Sequence, residues 1–143
     1  MAEDKVLLVD DDQDFTDTLS TRMKSRGLSV DTAASGSEAL EKIKAGSYCA
    51  IILDLVMPRM DGIETLKHLL KENPDLQVIL MTGHASIQTG IEAIKLGAMD
   101  FLEKPAEIQK LIEKIQQAKA NRMLLFEKRV EDRIEGILET KWW

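Results

Sequence analysis

YCAIILDLVMPRMDG, residues 48–62, decides how the chain is read. Its first six residues form an unbroken apolar run, the pattern of a strand covered on both faces. The run ends in one carboxylate, Asp54, and then passes through Pro58 to the turn pair Asp61-Gly62. An acidic side chain at the tip of so apolar a strand needs a reason.

Outward from this strand the same unit recurs. KVLLV (5–9), LSVDTA (28–33), LQVILMT (76–82) and MDFLEK (99–104) are the other strand candidates. Between them apolar residues return at helical spacing. Phe15, Leu19 and Met23 mark the first helix; Ala39, Leu40 and Ile43 mark the second, behind a Ser35/Glu38 capping box. Ile63, Leu66 and Leu70 precede Asn73-Pro74, and Ile87, Ile91 and Ile94 precede Gly97. Pro105 opens a fifth helix through Ile108, Leu111, Ile112 and Ile115. Strict alternation predicts an α/β fold: a doubly wound, five-stranded parallel sheet with right-handed crossovers and helices on both faces.

In such a sheet ligands collect at the carboxyl ends of the strands, near the point where strand order reverses. That edge would hold Asp54, the run Asp10-Asp11-Asp12, Thr82 and Lys104. Singly, each has an ordinary reading. Asp12 or Asp14 can cap a helix, Thr82 can be a loop hydroxyl, and Lys104 a solvated lysine. Their coincidence at one edge is what carries the argument. Clustered carboxylates repel and call for a cation, and an oxygen-only donor set suits Mg²⁺ far better than zinc. An ionised aspartate beside Mg²⁺ can attack phosphorus and form an aspartyl phosphate. Lys104, the Thr82 hydroxyl and backbone N–H groups would then hold the phosphoryl oxygens.

The bulk properties narrow the classes. The 143 residues suffice for one domain with an appendage, and 44% hydrophobic with 31% charged residues argues against disorder. A net charge of −6 argues against direct binding to nucleic acid or anionic membrane. Cys49, the single cysteine, cannot form an internal disulfide and is expected to pack as a small hydrophobe. With neither a signal-peptide pattern nor a membrane-length apolar run, the expected location is cytoplasmic.

VLLVDDD, LDLVMPRMDG, VILMTGHA and GAMDFLEKP, in that order, resemble the receiver domains of two-component response regulators over roughly residues 4–120. The resemblance implies a flavodoxin-like strand order 2-1-3-4-5. It implies that Asp54 accepts phosphate from a phosphohistidine of a sensor histidine kinase or phosphotransfer protein. Asp10 and Asp11 would hold Mg²⁺ together with Asp54 and the Val56 carbonyl. Thr82 would be the switch hydroxyl and Lys104 the phosphoryl-pairing lysine, with a cis Lys104–Pro105 bond. Phe101 would be the aromatic switch, although core packing is the ordinary reading of an aromatic in a strand. Val56 and His84 match the two positions that tune phosphoryl lifetime, and the apolar Val56 suggests slow self-dephosphorylation. The family's aromatic after Lys-Pro is Ala106 here, so packing should be thinner where the fifth helix begins.

After residue 120 a second helical pattern follows, with Met123, Phe126, Val130, Ile134 and Ile137 at spacings of three and four. The stretch 118–121 reads as a kink or helix break, dividing a receiver (1–120) from a C-terminal helical extension (121–143) roughly 28 Å long at about 1.5 Å per residue. The extension can be a homodimer contact, a segment packed on its own receiver, a signalling helix toward a further domain, or the remnant of a truncated chain. Trp142-Trp143 favour a contact of some kind. A stand-alone receiver is favoured over the front of a longer transcription regulator, because the chain ends in Trp-Trp rather than a Pro/Gly/Ser linker. The remote enzyme alternative is a haloacid dehalogenase-type phosphatase with Asp10 as nucleophile and Asp12 as acid/base. It leaves Asp54 without a task.

Overall fold

The computed structural model describes residues 5–55, 62–83, 87–104 and 106–140, the side chains of 87, 89, 139 and 140 excepted. The apolar runs form β1 (Lys5–Val9), β2 (Ser29–Ala33), β3 (Ala50–Asp54), β4 (Val78–Thr82) and β5 (Asp100–Glu103). The segments of helical period form α1 (Gln13–Ser25), α2 (Gly36–Ala45), α3 (Gly62–Glu72), α4 (Ile87–Leu96) and α5 (Ile108–Thr140). All strand pairings are parallel, in the order β2-β1-β3-β4-β5. This is the expected doubly wound sheet, with its strand order reversing between β1 and β3.

The two-residue period of each strand divides the core in two. Leu7, Val9, Ile51, Leu53, Val78 and Leu80 point to one face, with Ala39 of α2, Leu66 and Leu69 of α3 and Ala93 of α4. Val6, Leu8, Ile52, Ile79 and Met81 point to the other, with Leu19 and Met23 of α1 and Leu111, Ile115 and Ala118 of α5. Cys49 is buried on this second face, as its small apolar character predicts.

The caps resolve local ambiguities. Asp12 is the N-cap of α1, its carboxylate accepting from the Phe15 amide at 3.1 Å. Ser35 caps α2 by accepting from the Glu38 amide, while the Glu38 carboxylate accepts from the Ala34 amide at 2.9 Å. Gly62, at the start of α3, is needed for space. A Cβ there would lie 2.4 Å from the Leu55 Cα and 2.6 Å from the Asp54 carbonyl oxygen. The amino end of α3 is thus pressed onto the end of β3.

The expected interruption at 118–121 is not there. α5 runs unbroken for 33 residues, about 50 Å at 1.5 Å per residue. Alanines favour the helix at this point, and Ala118 is buried against the sheet. Beyond it, Asn121 donates to Gln77, Arg122 to Ser47, and Arg129 pairs with Asp75. The helix is therefore stitched across the amino-terminal edge of the sheet, and the residues from Val130 to Leu138 are exposed.

Near that edge the Tyr48 hydroxyl donates to Asp31 Oδ2 at 2.8 Å, and Lys5 Nζ lies 2.9 Å from the same oxygen. Burial opposes the charged form of Asp31. The bonds from Lys5 and Tyr48, with the charges of Lys5 and Lys42, outweigh it and hold the carboxyl below its ordinary 3.8. Burial, then the bond to Asp31 and its negative charge, push Tyr48 from 10.0 up to about 12. The folded state therefore keeps the phenol proton that the unfolded chain releases near pH 10. This stability is complete below pH 10 and is lost as pH rises toward about 12. Denaturant unfolding from pH 9 to 12 should show a steeper alkaline loss in the wild type than in Tyr48→Phe; identical slopes would refute the coupling.

Candidate phosphoacceptor site

The carboxyl edge is built by strand ends that the core holds rigid. Asp10 follows β1, its amide bonded to the Ala33 carbonyl at 3.0 Å. Asp54 is the last residue of β3 and Thr82 the last of β4; both are buried, at 7% and 2% exposure. Asp54 stands in register with Met81, and Thr82 with Glu103. The Lys104 amide donates to the Thr82 carbonyl at 2.7 Å, which starts the Lys104 side chain beside Thr82.

Four of the candidate side chains, those of Asp10, Asp11, Asp54 and Lys104, lie together. One oxygen from each of Asp10, Asp11 and Asp54 lies within 4.8 Å of the others. Lys104 Nζ is 2.7 Å from Asp10 Oδ2 and 3.6 Å from Asp54 Oδ1, joining the two buried carboxylates. The second Asp10 oxygen accepts from the Asp12 amide at 3.0 Å. Asp11 is exposed and opens the cluster to solvent. Three carboxylates facing one ammonium leave two negative charges, which a divalent cation would cancel. Octahedral Mg²⁺ sets its oxygens about 3 to 4.2 Å apart. The observed cluster needs only small adjustment to meet that.

Phe101 of β5 is half-buried and packs on the α3/α4 side of the core. Its ring lies on the backbone of Gly90 in α4: a Cβ there would sit 2.9, 3.0 and 3.1 Å from three ring carbons. Two residues of this region escaped the sequence reading. Gly90 carried no signal beyond being a glycine within a helical pattern. Phe15 was read as α1 core, yet its ring lies 4.2 Å from Lys104 Nζ, a cation–π contact that helps hold the lysine over the cluster. Val56, His84, Pro105 and Trp142-Trp143 lie outside the described residues.

Comparison with known proteins agrees with this geometry. The response regulator receiver domain family matches residues 6–116. This chain belongs to that family. The transcriptional regulator DctD of C4-dicarboxylate transport from Rhizobium meliloti is 36% identical over 128 residues, 90% of this chain and 28% of DctD. The transcriptional regulator ZraR of Klebsiella oxytoca is 38% identical over 119 residues, 83% of this chain and 27% of ZraR. The chain thus spans little more than a quarter of these relatives. Among solved structures, the beryllofluoride-activated NtrC4 receiver domain dimer is 38% identical with a TM-score of 0.78. That match covers 85% of this chain and 99% of the NtrC4 receiver. The receiver is a signalling domain, and among the described residues no helix is long and apolar enough to cross a membrane.

The Phe101–Gly90 contact yields a signed expectation. Gly90→Ala gains about 1 kcal/mol of helix propensity. Displacing the ring should cost about 1–3 kcal/mol. We expect net destabilisation in denaturant unfolding, abolished in the Phe101→Ala background. Stabilisation by Gly90→Ala in the Phe101 protein would contradict the packing.

Proposed function

We propose that the protein accepts a phosphoryl group on Asp54 from a phosphohistidine of a sensor histidine kinase or phosphotransfer protein. The single observation that carries this reading is the Asp10/Asp11/Asp54 cluster with Lys104 joining Asp10 to Asp54. Asp10, Asp11 and Asp54 would hold Mg²⁺, with the Val56 carbonyl as a further ligand. Bound there, the ion neutralises the carboxylates and draws charge from the phosphoryl oxygens.

An Asp54 carboxylate oxygen attacks phosphorus, the P–O bond forms as the P–N bond breaks, and the donor ring leaves as neutral imidazole with the proton on its other nitrogen. Lys104 exchanges Asp10 for a phosphoryl oxygen, having only a short distance to move. The Thr82 hydroxyl, on the neighbouring strand end, donates to another. Phe101 follows as the aromatic switch on the α4 side. Residues 1–120 form the phosphoacceptor unit and 121–143 its extension, the two sharing α5.

The resemblance to DctD and ZraR supports a second reading of output, in which the receiver serves a longer transcription regulator; DNA contact would then fall outside this chain. The phosphatase alternative has weaker support, because the Asp12 carboxylate it needs as acid/base is taken up capping α1.

Incubation with radiolabelled phosphohistidine donor should label the wild type in Mg²⁺. Label should be absent in Asp54→Asn and after EDTA, and transfer should be slower by about 10²-fold in Lys104→Ala. Undiminished labelling of Asp54→Asn would defeat the assignment. Once labelled, the protein should lose phosphate more slowly than Val56→Asn, because valine cannot position an attacking water; equal half-lives would count against that role.

A further inference from the structure

At the edge of the sheet opposite the carboxylates, α5 closes one side of a cavity of ≈ 430 Å³. Its other walls are the end of α2, the residues just before β3, and the loop between α3 and β4. The volume falls within the range of small-molecule sites, about 300–1,000 Å³. Ile43, Tyr48, Leu76 and Phe126 supply an apolar wall. Phe126 belongs to the exposed apolar stripe of α5, formed with Met123, Val130, Ile134 and Ile137.

The polar side of the cavity is unbalanced. Three cationic side chains, Lys44, Arg122 and Arg129, face two carboxylates, Glu72 and Asp75, although the chain as a whole carries −6. Arg129 is paired with Asp75. Arg122 has no carboxylate partner among the described residues. Its Nη2 donates to the Ser47 hydroxyl, while its Nη1 is buried and, among those residues, meets no acceptor. A guanidinium cannot shed its charge, and a buried donor left unsatisfied is costly, so Arg122 is a cation waiting for an acceptor.

We propose that this cavity binds a small organic monocarboxylate with a compact apolar body. The carboxylate sits on the Arg122 guanidinium, and the body lies against Tyr48, Leu76 and Phe126. The planar fork of arginine matches a carboxylate through two parallel N–H bonds, here from Nη1 and Nη2. Ser47 is an exposed loop hydroxyl holding one of those nitrogens, and it yields to the incoming oxygen. The freed side chain then turns on its long stem to bring Nη1 to the cavity. A neutral ligand would leave Nη1 unsatisfied. A phosphate dianion would set a second negative charge beside Glu72 and Asp75 and leave the apolar wall in water. The site does not depend on phosphotransfer at Asp54, and the two readings fail separately.

Amide NMR titration of the full chain with 3-phenylpropionate should give saturable shifts at Gly46, Tyr48 and Arg122. 3-Phenylpropan-1-ol and inorganic phosphate should each bind at least about 10-fold more weakly. Arg122→Lys keeps the charge without the fork and should weaken binding by about 10-fold, and Arg122→Met by more. Phe126→Ala, at a position 67% exposed, leaves the fold intact and should also weaken binding by about 10-fold. Strand amides at their wild-type shifts report the fold of each variant. The proposal is overturned by the lack of a saturable shift up to about 10 mM acid. It is equally overturned if the alcohol or phosphate binds as tightly as the acid, or if Arg122→Lys and Phe126→Ala bind like the wild type.

Discussion

Two buried carboxylates and one lysine at the carboxyl edge of the sheet set the terms for everything around them. Asp10 and Asp54 are held close by strands buried on both faces, so neither can relax away into solvent. Lys104 lies between them, and Asp11 adds a third negative charge from the solvent side. The core and the site are therefore one construction. Val6 to Val9 and Ile51 to Leu53 hold their strands in register, and that register delivers the carboxylates to a common point. The arrangement is electrostatically incomplete: its net negative charge would favour a hard cation and, under the proposed function, a phosphoryl group held by that cation and Lys104.

Much of this was legible in the residue order, for a definable reason. A parallel sheet writes itself as apolar runs interrupted at their carboxyl ends, so Asp10, Asp54, Thr82 and Lys104 could be placed at one edge from the strand pattern alone. The roles within Asp10-Asp11-Asp12 could not be separated that way. They are divided by hydrogen bonds: Asp12 turns into the helix as its cap, and Asp10 turns inward to Lys104 on a distant strand end. Phe15 over Lys104 was illegible because it joins elements far apart in the chain, and Gly90 under Phe101 because a glycine within a helical pattern has no local signature of what packs on it. The unbroken passage of α5 through 118–121 is not legible in the residue order, because polar residues there interrupt the apolar stripe. In the fold, one face of that stretch still meets the sheet at Ala118, and Asn121 and Arg122 find partners on neighbouring loops.

The short strand β5 links the site to the rest of the molecule. In four residues it carries Phe101, which rests on α4, and leads to Lys104, which rests on the carboxylates. The Lys104 amide is bonded to the Thr82 carbonyl, so a shift of the β4 end is passed to β5 through the backbone. Gly90 leaves the Phe101 ring no slack on the α4 side. Close packing transmits such displacements, because it has no voids to absorb them.

α5 extends that link across the molecule. It begins just after Lys104 at the carboxyl edge and packs on the sheet through Leu111, Ile115 and Ala118. It then leaves past Ser47, Asp75 and Gln77, all of which lie just before the amino ends of β3 and β4. A helix is stiff along its axis, so a tilt imposed near Lys104 is carried about 50 Å to the far end of the helix. The tethers at Arg122 and Arg129 bind the helix where it crosses the receiver's base. The apolar stripe lies beyond and beside those tethers, exposed along the helix. The candidate phosphoacceptor site and the exposed apolar stripe thus lie toward opposite ends of one continuous element.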